Sequence, residues 1–426
     1  MTIVTRRSAL RGSVTIPGSK SHTIRAVAVA GLADGVSRIL SPLDSADARA
    51  AEAAYRALGA TIETSADEWK VSGVAGRPTA PAGPIDVGNS GTTLRLAMGA
   101  AALLAEGEAV LTGDEQIRRR PSAPLARSLN DLGADVVALE GTQAAPFRVR
   151  GRLRGGETSI EAVTSQYLSS LLVAVPLADG DSIIRVPVLN EAPYVDMTLA
   201  WLDAEGIRYE RDGYREFRVP GGQTYPAFER RIPGDFSSAT FFLGAGALGS
   251  NDVTAVGLDM SDTQGDKAVV DYLEAMGAKV EVTEAGVRVR PGDLKGAEID
   301  LNATPDALPM MAVVGAAARG TTRLVNVPQA RMKESDRISA MAAELGRMGI
   351  ETKELPDGLI VHGGRLEGAA VEGYGDHRIV MALAVAGTIA DGETRVTTAE
   401  SVAVTFPDFA ELLAGLGGEV TTVADG

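Results

Sequence analysis

The stretch GLADGVSRIL, residues 31–40, decides the fold because the chain repeats its pattern five more times. An apolar run ends in a small or acidic residue, Gly35 follows, and an extended segment begins. The same figure surrounds Gly107 in LLAEGEAVLTG (103–113), Gly180 in PLADGDSIIRV (176–186) and Gly249 in GALGSNDVTAV (246–256). It returns around Gly320 in AAARGTTRLVNV (316–327) and Gly392 in TIADGETRVTT (388–398). Successive glycines stand 72, 73, 69, 71 and 72 residues apart. A second landmark, a helix closing on glycine before a strand, keeps the same phase at Gly59, Gly133, Gly206, Gly277, Gly349 and Gly417. Its spacings are 74, 73, 71, 72 and 68. Glycine-capped helices are common, but capping preference does not fix a period; two landmarks sharing one does.

A period near 71 exceeds the ~20–50 residues of a solenoid unit. Each unit reads as helix, strand, helix, strand, strand. The strands carry β-branched residues, as in IIRV and TRLVNV. This predicts α/β subdomains packed around shared helices, not one doubly wound sheet. The 426 residues suffice for two or three domains, each with its own core.

Composition then narrows the function. Hydrophobic residues at 45% and charged residues at 23% exclude wholesale disorder. The absence of cysteine excludes disulfides, iron–sulfur clusters, thiolate zinc sites and a cysteine nucleophile. Three histidines, His22, His362 and His377, leave little for a histidine metal site, and neither metal nor cofactor is expected. A net charge of −15 argues against nucleic acid, which needs a basic surface. An anionic ligand therefore needs a local cluster of positive groups. The opening MTIVTRRSALRGSVTIPG lacks the apolar core of a signal peptide. Apolar runs such as 307–318 fall short of the ~18 residues a membrane span needs. A cytoplasmic protein is expected.

Small polar or glycine-rich residues precede the first helix of five units: PGSKSHTIR (17–25), GNSGTTLR (88–95), TSQYLSS (164–170), GDFSSAT (234–240) and GDHRIV (375–380). TPDALP (304–309) stands at that place in the remaining unit. Ser, Thr, Asp and Asn cap helices, and helix N-termini attract anions. Routine capping explains any one of these segments. It does not explain Lys20, Arg25, Arg95 and Arg378, which add positive charge at such ends. Two further clusters stand out, Arg118-Arg119-Arg120 before Pro121 and Arg331-Met332-Lys333-Glu334-Ser335-Asp336-Arg337. The first reads equally as a solvated loop. In the second, a helix would put Lys333 and Arg337 on one face. Asp306 and Glu334 are candidates for a general base and a general acid. The residues alone define a two-domain enzyme or binder for a polyanionic small molecule.

Together these segments, with GDFSSATFF, RMKESDR, GDHRIVMALA and TFPDF (405–409), resemble the enolpyruvyl transferases, in order and over nearly the whole chain. The resemblance implies a two-domain α/β fold of six repeated βαβαββ-like units, three per domain, around buried helices. One domain would span 20–233, mainly on the acceptor side. The other would join 1–19 to 234–426 and carry the catalytic carboxylates, with hinges near 15–20 and 231–236. The implied reaction moves the enolpyruvyl group of phosphoenolpyruvate to the 5-hydroxyl of shikimate 3-phosphate and releases phosphate. It needs a base, an acid and fixed cations, with closure to exclude water. By resemblance, Lys20, Ser21 and Arg25 hold the acceptor, and Lys20 reaches both ligands and takes part in catalysis. Thr164, Ser165 and Lys333 bind its 3-phosphate, and Gln329 lies beside it. Gly91, Arg120, Arg337 and Arg378 hold phosphoenolpyruvate. Gln166 lies between the ligands, Asp306 is the base and contacts the acceptor, and Glu334 is the acid. Ser237 and Ser238 read as helix caps at the hinge and His377 as a structural histidine. Tyr194 reads equally as a lid on the acceptor ring or a core residue. The expected partners are these two small molecules, without nucleic acid or membrane, and the chain is expected to act as a monomer.

Four positions depart from the commonest pattern. Thr164 stands for Ser and Gln329 for Asn, both keeping the functional group. Glu191, in NEAPYVDMT, stands where a phosphate-binding Ser is usual, and a carboxylate facing a phosphate repels it unless a cation intervenes. Val404 stands where a Lys for phosphoenolpyruvate is common, leaving Arg118 or Arg119 as candidate substitutes. Glu191 keeps a second reading open, an enolpyruvyl transferase for another alcohol. A third is a non-catalytic phosphometabolite binder, against which Asp306 and Glu334 argue. Gly91 adds no methyl to narrow the phosphoenolpyruvate pocket, so sensitivity to glyphosate is a hypothesis that an inhibition curve tests.

Overall fold

In a computed structural model, which describes residues 1–424, each repeat builds one four-stranded sheet. The repeat around Gly107 shows the plan. Ile85–Asp86 runs parallel to Leu103–Thr112, which pairs antiparallel with Phe147–Arg152, and that strand pairs antiparallel with Asp135–Ala138. All six sheets repeat this order of one parallel and two antiparallel pairings.

The chain divides into two compact units. One is Gly18–Ile232, and its core contains the helices Lys20–Leu32, Gly91–Ala101 and Ser165–Ala174. The other joins Met1–Pro17 to the chain from Pro233 onward, around Phe236–Gly246, Leu308–Ala317 and His377–Gly387. Beyond their first two turns these six helices are apolar on every side, which suits burial on every side. In Leu308–Ala317 every residue but the last is buried. Of the second helices, Ala46–Ala57, Ala123–Asp131 and Arg337–Arg347 are amphipathic, Val269–Ala275 and Phe409–Gly415 are short, and Ala192–Ala204 is longer, largely apolar and half-buried. All six end the same way: the residue after the C-cap is the landmark glycine, with φ from 71° at Gly206 to 106° at Gly59. This is the left-handed position that favours glycine. The first landmark follows suit except at Gly180, which has no positive φ. There the missing Cβ serves space instead, because it would lie 2.8 Å from the Arg154 carbonyl oxygen.

Two strands lie in the unit opposite to the helix that follows them in the chain. Arg11–Thr15 precedes the Lys20 helix but pairs with Asp252–Val256. Glu229–Arg231 precedes the Phe236 helix but pairs with Val36–Leu40. Thr2–Arg6 completes the last sheet between Glu393–Val396 and Glu419–Val423. Pro17-Gly18 and Pro233-Gly234 stand at the crossings as extended rather than turn segments, and at the first the Pro17 carbonyl accepts from the Asp235 N–H at 2.9 Å. Ser237 and Ser238 are not the caps there. They lie in the first turn of the helix that Asp235 caps, and Ser238 Oγ donates to Asp235 Oδ2 at 3.0 Å.

Candidate active site

In the unit that begins at Met1, the site is built on Arg337. The segment 333–336 is not helical, because the Asp336 side chain accepts from the Ser339 N–H and starts the helix at Arg337. Lys333 and Arg337 therefore do not share a helix face, contrary to the expectation from their spacing. Arg337 is buried and touches three carboxylates: Asp306 from Nη1 at 2.7 Å, Glu334 from Nη2 at 2.6 Å and Asp376 from Nε at 2.8 Å. Arg378 Nη2 lies 3.1 Å from the other oxygen of Asp306, and Lys333 Nζ lies 3.8 Å from its Oδ1. Three cations and three carboxylates thus balance. Asp306 sits in the turn Pro305–Ala307 that leads into the Leu308 helix. Burial alone would raise its proton affinity, but Arg378, Lys333 and Arg337 outweigh burial and hold it well below the usual carboxylate range. The same carboxylates hold Arg337 firmly protonated against its own burial.

Asp376 had been legible only as a cap. It accepts from the Arg378 N–H at 3.0 Å, and also from Arg337 and from Ser335 Oγ at 3.0 Å. Gln329 is buried and does not touch the carboxylates; its Nε2 donates to the Asn302 carbonyl at 3.0 Å, propping the loop ahead of Asp306. His377 is buried at the start of its helix, and Val404 is half-buried at the end of the turn Ala399–Val404.

In the unit Gly18–Ile232, Lys20, Gly91 and Ser165 are the first residues of the three central helices. Ser19, Ser90 and Thr164 cap them. Hydrogen bonds join these ends. Lys20 Nζ reaches Asp47 Oδ2 at 3.0 Å, and the Asp47 carbonyl accepts from Thr93 Oγ1 at 3.4 Å. Gln166 bridges Thr92 Oγ1, at 3.1 Å, and Arg95 Nη1, at 2.7 Å. Arg25 is buried against Thr198 Oγ1, Ser169 Oγ and the carbonyls of Ser21 and Tyr194. Desolvation lowers its pKa to about 10, partly offset by Tyr194 and Glu191, so it remains a cation at neutral pH. Arg120 is the buried member of its run, held by Asn89 Oδ1 at 3.0 Å and Gln116 Oε1 at 3.1 Å. Arg118 and Arg119 point outward, toward Glu140 and Glu115. At Gly91 a Cβ would lie 2.4 Å from Arg95 Nη1 and 3.3 Å from Arg120 Nη1. Asp47, Asn89 and Gln116 were not legible as site residues, since each is set by a partner 4 to 31 residues away.

Glu191 does not merely face the Thr164–Ser165 end; it occupies it. Its Oε2 accepts from Thr164 Oγ1 at 3.1 Å, from Ser165 N–H at 3.2 Å and from Ser165 Oγ at 2.8 Å.

Six repeats in two units, with Asp306 and Glu334 held on one buried arginine in one unit and three capped helix ends joined by hydrogen bonds in the other, fit the enolpyruvyl transferases. The family model described as EPSP synthase (3-phosphoshikimate 1-carboxyvinyltransferase) matches residues 4–413, and the chain belongs to that family. A 3-phosphoshikimate 1-carboxyvinyltransferase of Acetivibrio thermocellus is 52% identical over 422 residues, covering 99% of this chain and 100% of the relative. One of Methanocella arvoryzae is 46% identical, covering 97% and 98%. A solved EPSP synthase of Acinetobacter baumannii superposes with a TM-score of 0.82 at 28% identity, covering 99% and 100%.

Proposed function

We propose that Asp306 and Glu334 carry the proton transfers of the family's reaction in this chain. The enzyme moves the enolpyruvyl group of phosphoenolpyruvate to the 5-hydroxyl of shikimate 3-phosphate, in the shikimate pathway to chorismate and the aromatic amino acids. Asp306 takes the hydroxyl proton. Glu334 gives a proton to the methylene carbon, leaving the adjacent carbon electrophilic, and the hydroxyl adds there to form a tetrahedral adduct; phosphate then leaves by C–O cleavage as the new methyl group gives a proton back to a carboxylate of the pair, which restores the double bond. The single observation that carries this reading is the buried Arg337 holding both carboxylates beside Arg378 and Lys333.

The geometry also suggests how ligands prepare the pair. Anionic substrate groups draw on Arg378 and Lys333, which weakens their hold on Asp306 and makes it a better base. Negative charge from phosphoenolpyruvate beside Glu334 favours its protonated form, against Arg337. Lys20, Arg120, Arg337, Arg378 and the backbone at Gly91 hold phosphoenolpyruvate. Lys20, Ser21, Arg25, Thr164, Ser165, Lys333 and Gln329, the last through its loop, serve shikimate 3-phosphate, and Gln166 serves both. We propose that the domains are 20–233 and 1–19 with 234–426, close to the compact units that divide at Gly18 and Ile232, with hinges near 15–20 and 231–236. Among the described residues no helix is long and apolar enough to cross a membrane; a cytoplasmic monomer is proposed. The test is phosphate release from phosphoenolpyruvate and shikimate 3-phosphate. Asp306→Asn should lose turnover by orders of magnitude while changing acceptor affinity far less. Equal losses in both, or no turnover by the unaltered enzyme, would sink the assignment.

A further inference from the structure

Glu191 heads the helix Ala192–Ala204 in a left-handed conformation, φ 60° and ψ 40°, that side-chain-bearing residues seldom adopt. It makes no side-chain cap to its own helix. Instead it reaches the start of another helix, Ser165–Ala174, where one oxygen takes two hydroxyls and a terminal N–H. The residue is only 2% exposed. Two hydroxyls and a helix-end amide around one anionic oxygen are what a phosphate oxygen requires. A carboxylate and a phosphate cannot share these donors: the hydrogens are spent once, and the like charges repel. Arg25 also responds to the Glu191 charge, so the carboxylate draws on a second group assigned to the acceptor.

We propose that Glu191 is a specificity-determining residue that acts as a built-in competitor for the acceptor's phosphate, filling the Thr164–Ser165 donors until its side chain rotates away. The inference rests on the assignment of Thr164 and Ser165 to the 3-phosphate made above. Its consequence is a reduced apparent affinity, by the fraction of molecules in which the donors are open. Phosphoenolpyruvate, which uses other groups, bears little of this cost.

The experiment compares Glu191→Ser and Glu191→Gln with the unaltered enzyme, using steady-state kinetics with shikimate 3-phosphate and phosphoenolpyruvate. Glu191→Ser should lower the KM for shikimate 3-phosphate by about tenfold or more, with smaller changes in kcat and in the KM for phosphoenolpyruvate. Glu191→Gln keeps the length and one acceptor oxygen but removes the charge, and should fall between. A residue with a merely structural role would not improve acceptor binding when replaced. If both folded variants show an acceptor KM equal to or above that of the unaltered enzyme, the proposal is overturned. If Glu191→Ser does not fold, Glu191→Gln decides alone by the same criterion. Failure of all three proteins to bind or turn over shikimate 3-phosphate would instead overturn the phosphate assignment itself, and this inference with it.

Discussion

Asp306 shows how much a residue's chemistry depends on neighbours that sequence does not place beside it. Its candidacy was legible from TPDALP, but three cations from positions 333, 337 and 378 set its proton affinity. A carboxyl held below its unfolded value of ~3.9 stabilises the fold above that pH, and the contribution is lost as pH falls toward the folded value. In the free enzyme Asp306 is thus ionised throughout the neutral range and sets no acid limb near neutrality. Replacing one cation, as in Lys333→Met, should raise the Asp306 pKa toward the ordinary carboxylate range, so that its acid limb enters kcat/KM, which reports the free enzyme, from the low-pH end. A pH–rate series from 4 to 8 checks this; an unmoved limb would show that another group sets it. At Gly91 the argument is steric. An added Cβ 2.4 Å from Arg95 Nη1 forces that guanidinium, and the Gln166 it holds, to move. Gly91→Ala should therefore raise the KM for phosphoenolpyruvate severalfold, and more than it lowers kcat. Steady-state kinetics with varied phosphoenolpyruvate measure this.

Helix starts were the most legible elements, because a cap acts within three residues of itself. Ser19, Ser90, Thr164, Asp235 and Asp376 cap the five helices whose opening segments suggested it. The sixth, after TPDALP, enters through a turn with no side-chain cap. The Lys333–Arg337 spacing misled for the same local reason: Asp336 starts the helix later than periodicity alone suggests. What a cap does beyond its own helix was not legible. Asp376 starts the His377 helix and, 39 residues from it in sequence, grips Arg337. Asp376→Ala removes both the cap and one side of a buried ion pair, and should cost about 3–5 kcal/mol. Asp376→Asn keeps a capping oxygen and should cost less. Urea unfolding midpoints separate the two, and equal midpoints for Ala and the unaltered protein would show that Arg337 is held adequately without Asp376.

At the scale of the molecule, the period near 71 revealed six units because every repeat must close its helix and start its strand at the same phase. It could not reveal which sheet each leading strand joins, since pairing partners are a property of the closed fold. Arg11–Thr15 and Glu229–Arg231 each join the unit opposite to the helix they precede. This placement has a consequence for folding. The segment 18–232 contains every strand of its three sheets, including Glu229–Arg231, and its own core. It should fold alone and unfold in urea as one cooperative transition. The segment from 233 onward lacks Thr2–Arg6 and Arg11–Thr15, which contribute to two of its three sheets, and it loses the buried Ile3, Leu10, Val14 and Ile16. Bare strand edges and an unfilled core favour aggregation over folding. Since Thr2 pairs with Val423, a short linker from the C-terminus to residue 1 restores both strands without crossing the fold. The permuted chain 233–426–linker–1–17 should therefore regain a cooperative transition that 233–426 lacks. Circular dichroism in a urea series on the three fragments decides it, and a cooperative transition for 233–426 alone would show that Thr2–Arg6 and Arg11–Thr15 are dispensable to their unit.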